Sequence, residues 1–207
     1  MFKPSMINGG IYPFIKRILD FSISLLLITV LFLPMAIIWL TIRLETKESA
    51  IFKQKRVGAD GRVFTCYKFR TMYKNAPSEL STAEFTNVSA FITPIGKKLR
   101  KSSLDELPQL FNVLLGHMSL VGPRPLIERE HMAHEMRYGS GASHLRPGIT
   151  GLAQIRGRDM LDDVNKVYFD TEYAFNMGFL LDARILLSTL LKAFVGTGVR
   201  GISDTYS

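Results

Sequence analysis

The stretch from Phe21 to Ile42 contains no charged side chain. As a straight helix it would run about 33 Å, enough to cross a hydrocarbon core of about 30 Å. The segment therefore supplies a membrane element. It does not fit a cleavable signal peptide, because Arg43, Glu45 and Lys47 follow it where a small-residue cleavage site would stand. Two details complicate a simple span. Pro34 removes the hydrogen bond to the Val30 carbonyl and favours a kink. Lys16 and Arg17 flank one end and Arg43 and Lys47 the other, so the positive-inside rule gives no orientation. A Pro-kinked span and a kinked re-entrant helix both remain open on these facts.

The chain has 207 residues, room for one domain, or for a small domain plus a membrane element. Its formal net charge is +8, which points to nucleic acid, anionic lipid or a polyphosphate ligand, or simply to a solubilising face. The membrane segment favours lipid or polyphosphate, and nucleic acid is not expected as a partner. Cys66 is the only cysteine, so no internal disulfide forms, and it reads as a small packed residue.

Beyond the membrane segment the pattern is mixed α/β and mainly helical. Gln54 to Met72 reads as a small β-hairpin, with Asp60-Gly61 as its turn. Tyr73 to Thr93 is rich in Ser, Thr, Asn and Ala and reads as a loop with room for a short helix. Leu104 to Leu115 reads as one amphipathic helix. Leu104, Leu107, Leu110, Phe111, Leu114 and Leu115 share a face opposite Asp105, Gln109 and Asn112. Glu128 to Tyr138 reads as a charged helix ended by Gly139-Ser-Gly-Ala-Ser. Phe179 to Val195 reads as an amphipathic helix that packs on the domain or lies in the lipid interface.

The chemistry-bearing residues sit between these elements. Ser103-Leu-Asp-Glu fits a capping box with Ser103 as N-cap and Glu106 at N3, the bland account of Glu106. The functional account is different. The Asp105 carboxylate can attack phosphorus, and its neighbour Glu106 can hold Mg²⁺. Arg124 lies between Pro123 and Pro125, which stiffen the backbone that presents it and suit it to phosphate. The alternative is a rigid turn with a solvated arginine. Arg100, Lys68 and Arg70 are further phosphate candidates, each of which could equally be a surface charge. Arg146 opens a Pro-Gly-Ile-Thr-Gly turn. His131 and His134 lack further ligands nearby and read as surface histidines.

Lys16-Arg17 before an apolar segment with an internal Pro, Tyr67-Lys-Phe-Arg-Thr-Met, Ser103-Leu-Asp-Glu-Leu-Pro-Gln, Met118-Ser-Leu-Val-Gly-Pro-Arg-Pro and Arg146-Pro-Gly-Ile-Thr-Gly-Leu-Ala-Gln follow one another in this order. In this the chain resembles the bacterial sugar transferase family, the monotopic phosphoglycosyl transferases, in its smallest, catalytic-core form. The resemblance runs from about Lys16 to about Val195.

The resemblance implies a re-entrant membrane helix broken at Pro34, with residues 1–48 as membrane element and flanks and 49–207 as a catalytic domain on the membrane surface. It implies the cytoplasmic face of a bacterial inner membrane. It also implies a two-step reaction in which Asp105 attacks a UDP-sugar, releases UMP and passes the sugar phosphate to undecaprenyl phosphate. Glu106, with Asp105, would hold Mg²⁺, and Arg124 and Arg100 would bind phosphate. Asp182, Asp170, Arg146 and Arg158 are further candidates whose roles stay open. The sugar is not named, an N-acetylated hexose being the family-level expectation. A homodimer and downstream glycosyltransferases are further partners that it allows. Leu33 stands where the family usually has Ser, His117 where Asp is usual, and Met177-Gly178 replace a more polar or aromatic pair. Two other readings stand beside the transferase: a single-span, membrane-anchored basic binding protein without turnover, and an inactive structural relative.

Overall fold

The computed structural model describes residues 10–76, 88–157 and 161–195. Arg158 and part of the expected 73–93 loop lie outside them. The fold is mixed α/β and mainly helical, with two small sheets.

Helix α1 runs from Tyr12 to Thr46, well beyond the uncharged stretch at its amino end, and passes through Pro34. At 35 residues it is about 52 Å long. Its inward side is one unbroken stripe: Lys16, Asp20, Ile23, Ser24, Leu27, Ile28, Met35, Ile38 and Ile42 are covered to differing degrees. That is helical spacing along the full length. Ile23, Leu27 and Ile28 pack on the main core, which includes Leu110, Val113, Met118, Leu120 and Tyr173. Met35, Ile38 and Ile42 pack on a second cluster of Ala50, Phe69 and Leu99. Pro34 and large apolar residues such as Phe14, Phe21, Phe32, Leu33 and Trp39 face outward.

Both ends of α1 are also fixed by polar bonds to the same domain. Near the amino end, Arg17 donates to the Val113 and Leu114 carbonyls at 2.7 and 3.0 Å. Asp20 accepts the Leu120 amide at 3.1 Å. Near the other end, Glu45 accepts the Ile95 amide at 3.2 Å.

Strands β1 (Ile51–Val57) and β2 (Val63–Phe69) form the expected antiparallel hairpin, with Val57 opposite Val63. Asp60 and Gly61 adopt positive φ at its tip, as that pair is suited to do. Helix α2 (Pro94–Ser102) starts at Thr93, whose side chain accepts the Gly96 amide, with Pro94 in the first turn.

Leu104–Leu115 is not one helix. A 3₁₀ turn spans Leu104–Glu106, and α3 covers only Gln109–Leu114. Pro108 has no amide hydrogen to give a continuous ladder, so the α-helix restarts behind it. Nor is Ser103 an N-cap with a capping side chain: it closes α2 at φ +58° and makes no side-chain cap bond. Helix α3 also turns polar residues inward. Gln109 and Asn112 are buried while Phe111 and Leu115 are exposed. Asn112 explains the inversion, because its amide serves the open edge of β2. Its Oδ1 accepts the Tyr67 amide and its Nδ2 donates to the Thr65 carbonyl.

Strand β3 (Ser119–Val121) pairs in parallel with β4 (Gly148–Thr150). Between them α4 runs from His131 to Ser140 and ends at Gly141, φ +80°, within the expected Gly139-Ser-Gly-Ala-Ser run. The β3–β4 approach needs glycine, since a Cβ on Gly148 would lie 2.1 Å from the Gly122 nitrogen. Helices α5 (Leu152–Arg156), α6 (Asp163–Asn176) and α7 (Phe179–Val195) complete the fold. Helix α7 is turned like α3. Asp182 is buried, Thr189 shares a hydrogen bond with Thr150, and Lys192 bonds the Ile155 carbonyl. Phe179, Leu180, Leu187, Leu190 and Leu191 face outward.

One buried carboxylate ties three of these helices together. Asp182 on α7 accepts from Tyr12 at 2.7 Å and Lys16 at 2.5 Å, both on α1, and from Tyr173 on α6 at 2.8 Å. Truncating one partner of a buried pair leaves the other charge uncompensated. Asp182→Ala should therefore lower unfolding stability by about 3 kcal/mol and expose the amino end of α1 to protease. Denaturant titration with limited proteolysis measures both, and an unchanged midpoint and cleavage pattern would refute this role.

Candidate functional site

The 3₁₀ turn between α2 and α3 presents Asp105 and Glu106 together, both partly buried. Glu106 accepts a bond from Lys68 on β2 at 2.8 Å. Burial, and then the Glu106 carboxylate beside it, push Asp105 up from 3.8 to about 6, against the opposing pull of Lys68 and Arg100. Sequence reading named Asp105, Glu106, Lys68 and Arg100, and they form one electrostatic group. Arg70 does not join it, because its Nε donates to the Ser49 carbonyl at 2.6 Å at the base of the hairpin.

Arg124 enters from the segment after β3, and this segment is clamped residue by residue. The Gly122 amide bonds the Thr150 carbonyl, and the Pro123 carbonyl accepts the Gly148 amide. The Arg124 carbonyl accepts from Arg137 at 2.7 Å, and the Pro125 carbonyl accepts from Arg56 at 2.9 Å. The Leu126 carbonyl accepts the Val57 amide. Two guanidinium groups thus stand in where the short sheet offers no backbone partner.

Arg137 is buried and in turn bonds Asp170 on α6 at 2.5 Å. Asp170 therefore acts on the Arg124 segment through Arg137. Burial pushes its carboxyl upward while the guanidinium opposes that shift. Arg56 was not singled out from the sequence. Burial, and next the nearby Arg124 charge, lower it below the ordinary guanidinium range, to about 10. Neither Arg56 nor Arg137 carries a sequence signal that separates it from other basic residues. Asp182 lies in the α1–α6–α7 bonds described above, and Arg146 donates from Nε to the Gly116 carbonyl.

Among the described residues no cluster of three or more His, Cys, Asp or Glu offers a closed metal cage. Two adjacent carboxylates suit Mg²⁺, which characteristically takes one or two protein carboxylates and completes its shell with water and substrate phosphate. Asp105 and Glu106 are the residues that would hold such an ion, on the side of the turn faced by Lys68 and Arg100.

The family model for bacterial sugar transferases matches residues 11–196. The chain is 36% identical to an uncharacterized sugar transferase, EpsL, of Bacillus subtilis, with 90% of each chain covered. It is 38% identical to the undecaprenyl-phosphate galactose phosphotransferase of Salmonella typhimurium, over 85% of this chain and 40% of that protein. It is 35% identical to the UDP-glucose:undecaprenyl-phosphate glucose-1-phosphate transferase of Klebsiella pneumoniae, over 90% of this chain and 42% of that protein. The chain thus spans most of the first relative and about two-fifths of the other two.

The Asp105 shift carries a stability consequence with a definite sign. Its folded value lies above the unfolded one, so the folded state binds the proton more tightly between about pH 4 and 6. Stability is lost as pH rises through that window, and the deficit is complete above it. Asp105→Asn cannot ionise, so it should exceed the parent in stability at pH 8 by on the order of 1–2 kcal/mol, with the gap closing towards pH 5. Thermal midpoints of both proteins at the two pH values test this, and a gap that widens on acidification would contradict it.

Proposed function

The chain belongs to the bacterial sugar transferase family, and on that premise we propose that it moves a sugar 1-phosphate from a UDP-sugar to undecaprenyl phosphate at a membrane surface. The observation that carries this reading is Asp105. It is a partly buried carboxylate, raised to about 6, set between a second carboxylate and the cations Lys68 and Arg100. Near neutral pH such a group is largely ionised, and it retains more basicity than an ordinary aspartate.

An Asp105 oxygen attacks the β-phosphorus of the donor. The bond from that phosphorus to the bridging oxygen breaks, and UMP leaves with the electron pair. The product is a sugar-phosphoryl aspartate. A phosphate oxygen of undecaprenyl phosphate then attacks the same phosphorus, the bond to Asp105 breaks, and the carboxylate is restored. Every participant is an anion, so fixed positive charge has to offset the repulsion. Arg124, on its clamped backbone, and Arg100 hold the phosphates, while Lys68 holds Glu106 in place. Glu106, with Asp105, would bind Mg²⁺, which supplies further charge neutralisation at the diphosphate.

The outward faces of α1 and α7 support the membrane half of the reading. Both helices direct leucine and aromatic side chains away from the domain and polar ones toward it. Helix α1 lies along the domain for its whole length and is bonded to it at both ends. A helix held in this way supports a reading in which both its ends stay on the side of the bilayer where the domain lies. The reading is thus of a monotopic enzyme seated in the cytoplasmic leaflet of a bacterial inner membrane, with Pro34 on the lipid side.

UMP release from a panel of UDP-sugars, including UDP-glucose, UDP-galactose and N-acetylated hexoses, tests the chemistry with undecaprenyl phosphate as acceptor. Turnover should appear with one or a few donors and fall by ~10³-fold or more in Asp105→Asn. It should stop with EDTA and return with Mg²⁺. Substantial turnover in the variant would remove Asp105 as nucleophile, and metal-independent turnover would remove the ion from Glu106. Tags on the two termini should both be reached from the cytoplasm, whereas opposite sides would mean a true span.

A further inference from the structure

A second concave site lies at the amino end of α1, lined by residues other than those around Asp105. It is a groove of about 740 Å³ between α1, the hairpin tip, the loop after α3 and the segment before β4. Lys68, which holds Glu106, pairs opposite Phe52, while Arg62 borders the tip where Val57 meets Val63. At strand rise this puts the two residues about 20 Å apart along the hairpin. The volume falls within the usual range of small-ligand sites, about 300–1,000 Å³.

The charges in this groove divide into those already used and those left over. Lys16 bonds Asp182, Asp20 accepts the Leu120 amide, and Arg17 closes the end of α3. Asp60 is 2.7 Å from His144 Nδ1. The Arg146 guanidinium is fixed through one bond, from Nε to the Gly116 carbonyl at 3.1 Å, and its Nη groups remain for a ligand. Arg62 is exposed, and its guanidinium has no partner among the described residues. His117 adds an imidazole, set against the Phe64 ring at 5.8 Å. The groove therefore presents unspent cationic donors, one of them held in position.

Its borders indicate the source of the anion. Phe14 and Ile18, beside Lys16 and Arg17 on α1, are 69% and 51% exposed, and Leu115, beside Gly116, is 62% exposed. A free phosphate needs no such edge. A lipid with a charged head and apolar chains meets both surfaces at once. We propose that this groove seats the phosphodiester head group of an anionic phospholipid, with its acyl chains along the outward face of α1. Arg62 and Arg146 bind the phosphate, and His117 contributes a further donor. The proposal rests on the membrane half of the functional reading and is independent of the transferase chemistry.

The test uses the full chain in neutral detergent without donor sugar, so it is read whether or not the protein turns over. Thermal midpoint is followed while phosphatidylglycerol, phosphatidylcholine, inorganic phosphate, UMP or undecaprenyl phosphate is added. Phosphatidylglycerol should raise the midpoint saturably, and phosphatidylcholine and free phosphate should not. Arg62→Ala/Arg146→Ala should keep the lipid-free midpoint and weaken the phosphatidylglycerol response about tenfold. His117→Asp, which adds a carboxylate to the groove, should weaken it in the same direction, and Arg124→Ala should not. An equal lipid response in the double variant and the parent would overturn the proposal. So would a groove-dependent response to UMP, free phosphate or undecaprenyl phosphate alone.

Discussion

Like charges held side by side set the terms for this structure. Asp105 and Glu106 occupy consecutive positions of a tight turn and repel one another in a partly buried setting. Holding that turn requires cations delivered from elsewhere in the chain. Lys68 comes from β2 and Arg100 from α2. The hairpin is in turn braced by Asn112 of α3, which bonds the backbone of β2 at Thr65 and Tyr67, next to Lys68. A buried asparagine in α3 therefore helps to fix the lysine that faces Glu106.

The same economy of polar groups explains two helices that bury polar residues beside apolar ones and leave leucines outside. In a water-soluble domain an amphipathic helix buries its leucines. Here α7 buries Asp182, engages Thr189 and Lys192 with the domain, and leaves leucines outside. Helix α3 buries Gln109 and Asn112 and exposes Phe111 and Leu115. Apolar surface left outward in this way matches a lipid environment, where leucine facing out carries no hydration penalty. Asn112 and Asp182 then do the joining, each through bonds to another element.

Local rules made some of this legible in the sequence. Asp60-Gly61 demanded positive φ, and the hairpin followed. Pro123 and Pro125 marked a stiff segment, although they did not reveal the Arg56 and Arg137 bonds that clamp it. The wheel over Leu104–Leu115 sorted the faces and gave no sign of which one the domain would cover, and it ran through Pro108, where the helix restarts. Helix α6 carried a readable start at Asp162, which caps the Asn165 amide, yet it was not singled out. Asp170 and Asp182 stood as acids without roles because their partners are distant in sequence. Arg137 is 33 residues from Asp170, and Tyr12 is 170 residues from Asp182. No spacing rule reaches that far.

Those distant bonds also join α1 to the segment that carries Arg124. Tyr12 and Lys16 of α1 meet Asp182, Asp182 meets Tyr173, and the Tyr173 hydroxyl lies 3.2 Å from the Val121 carbonyl. Val121 is followed directly by the clamped segment that carries Arg124. The amino end of α1 and the backbone of Arg124 thus share one short run of buried polar contacts. A shift of α1 in its lipid setting would strain bonds whose alternative is an unpaired buried carboxylate, a state that costs several kcal/mol. The helix and the segment that carries Arg124 are consequently expected to move as one body. In the proposed function, seating the chain in a membrane would then also fix the height at which Arg124 meets a phosphate confined to the lipid surface.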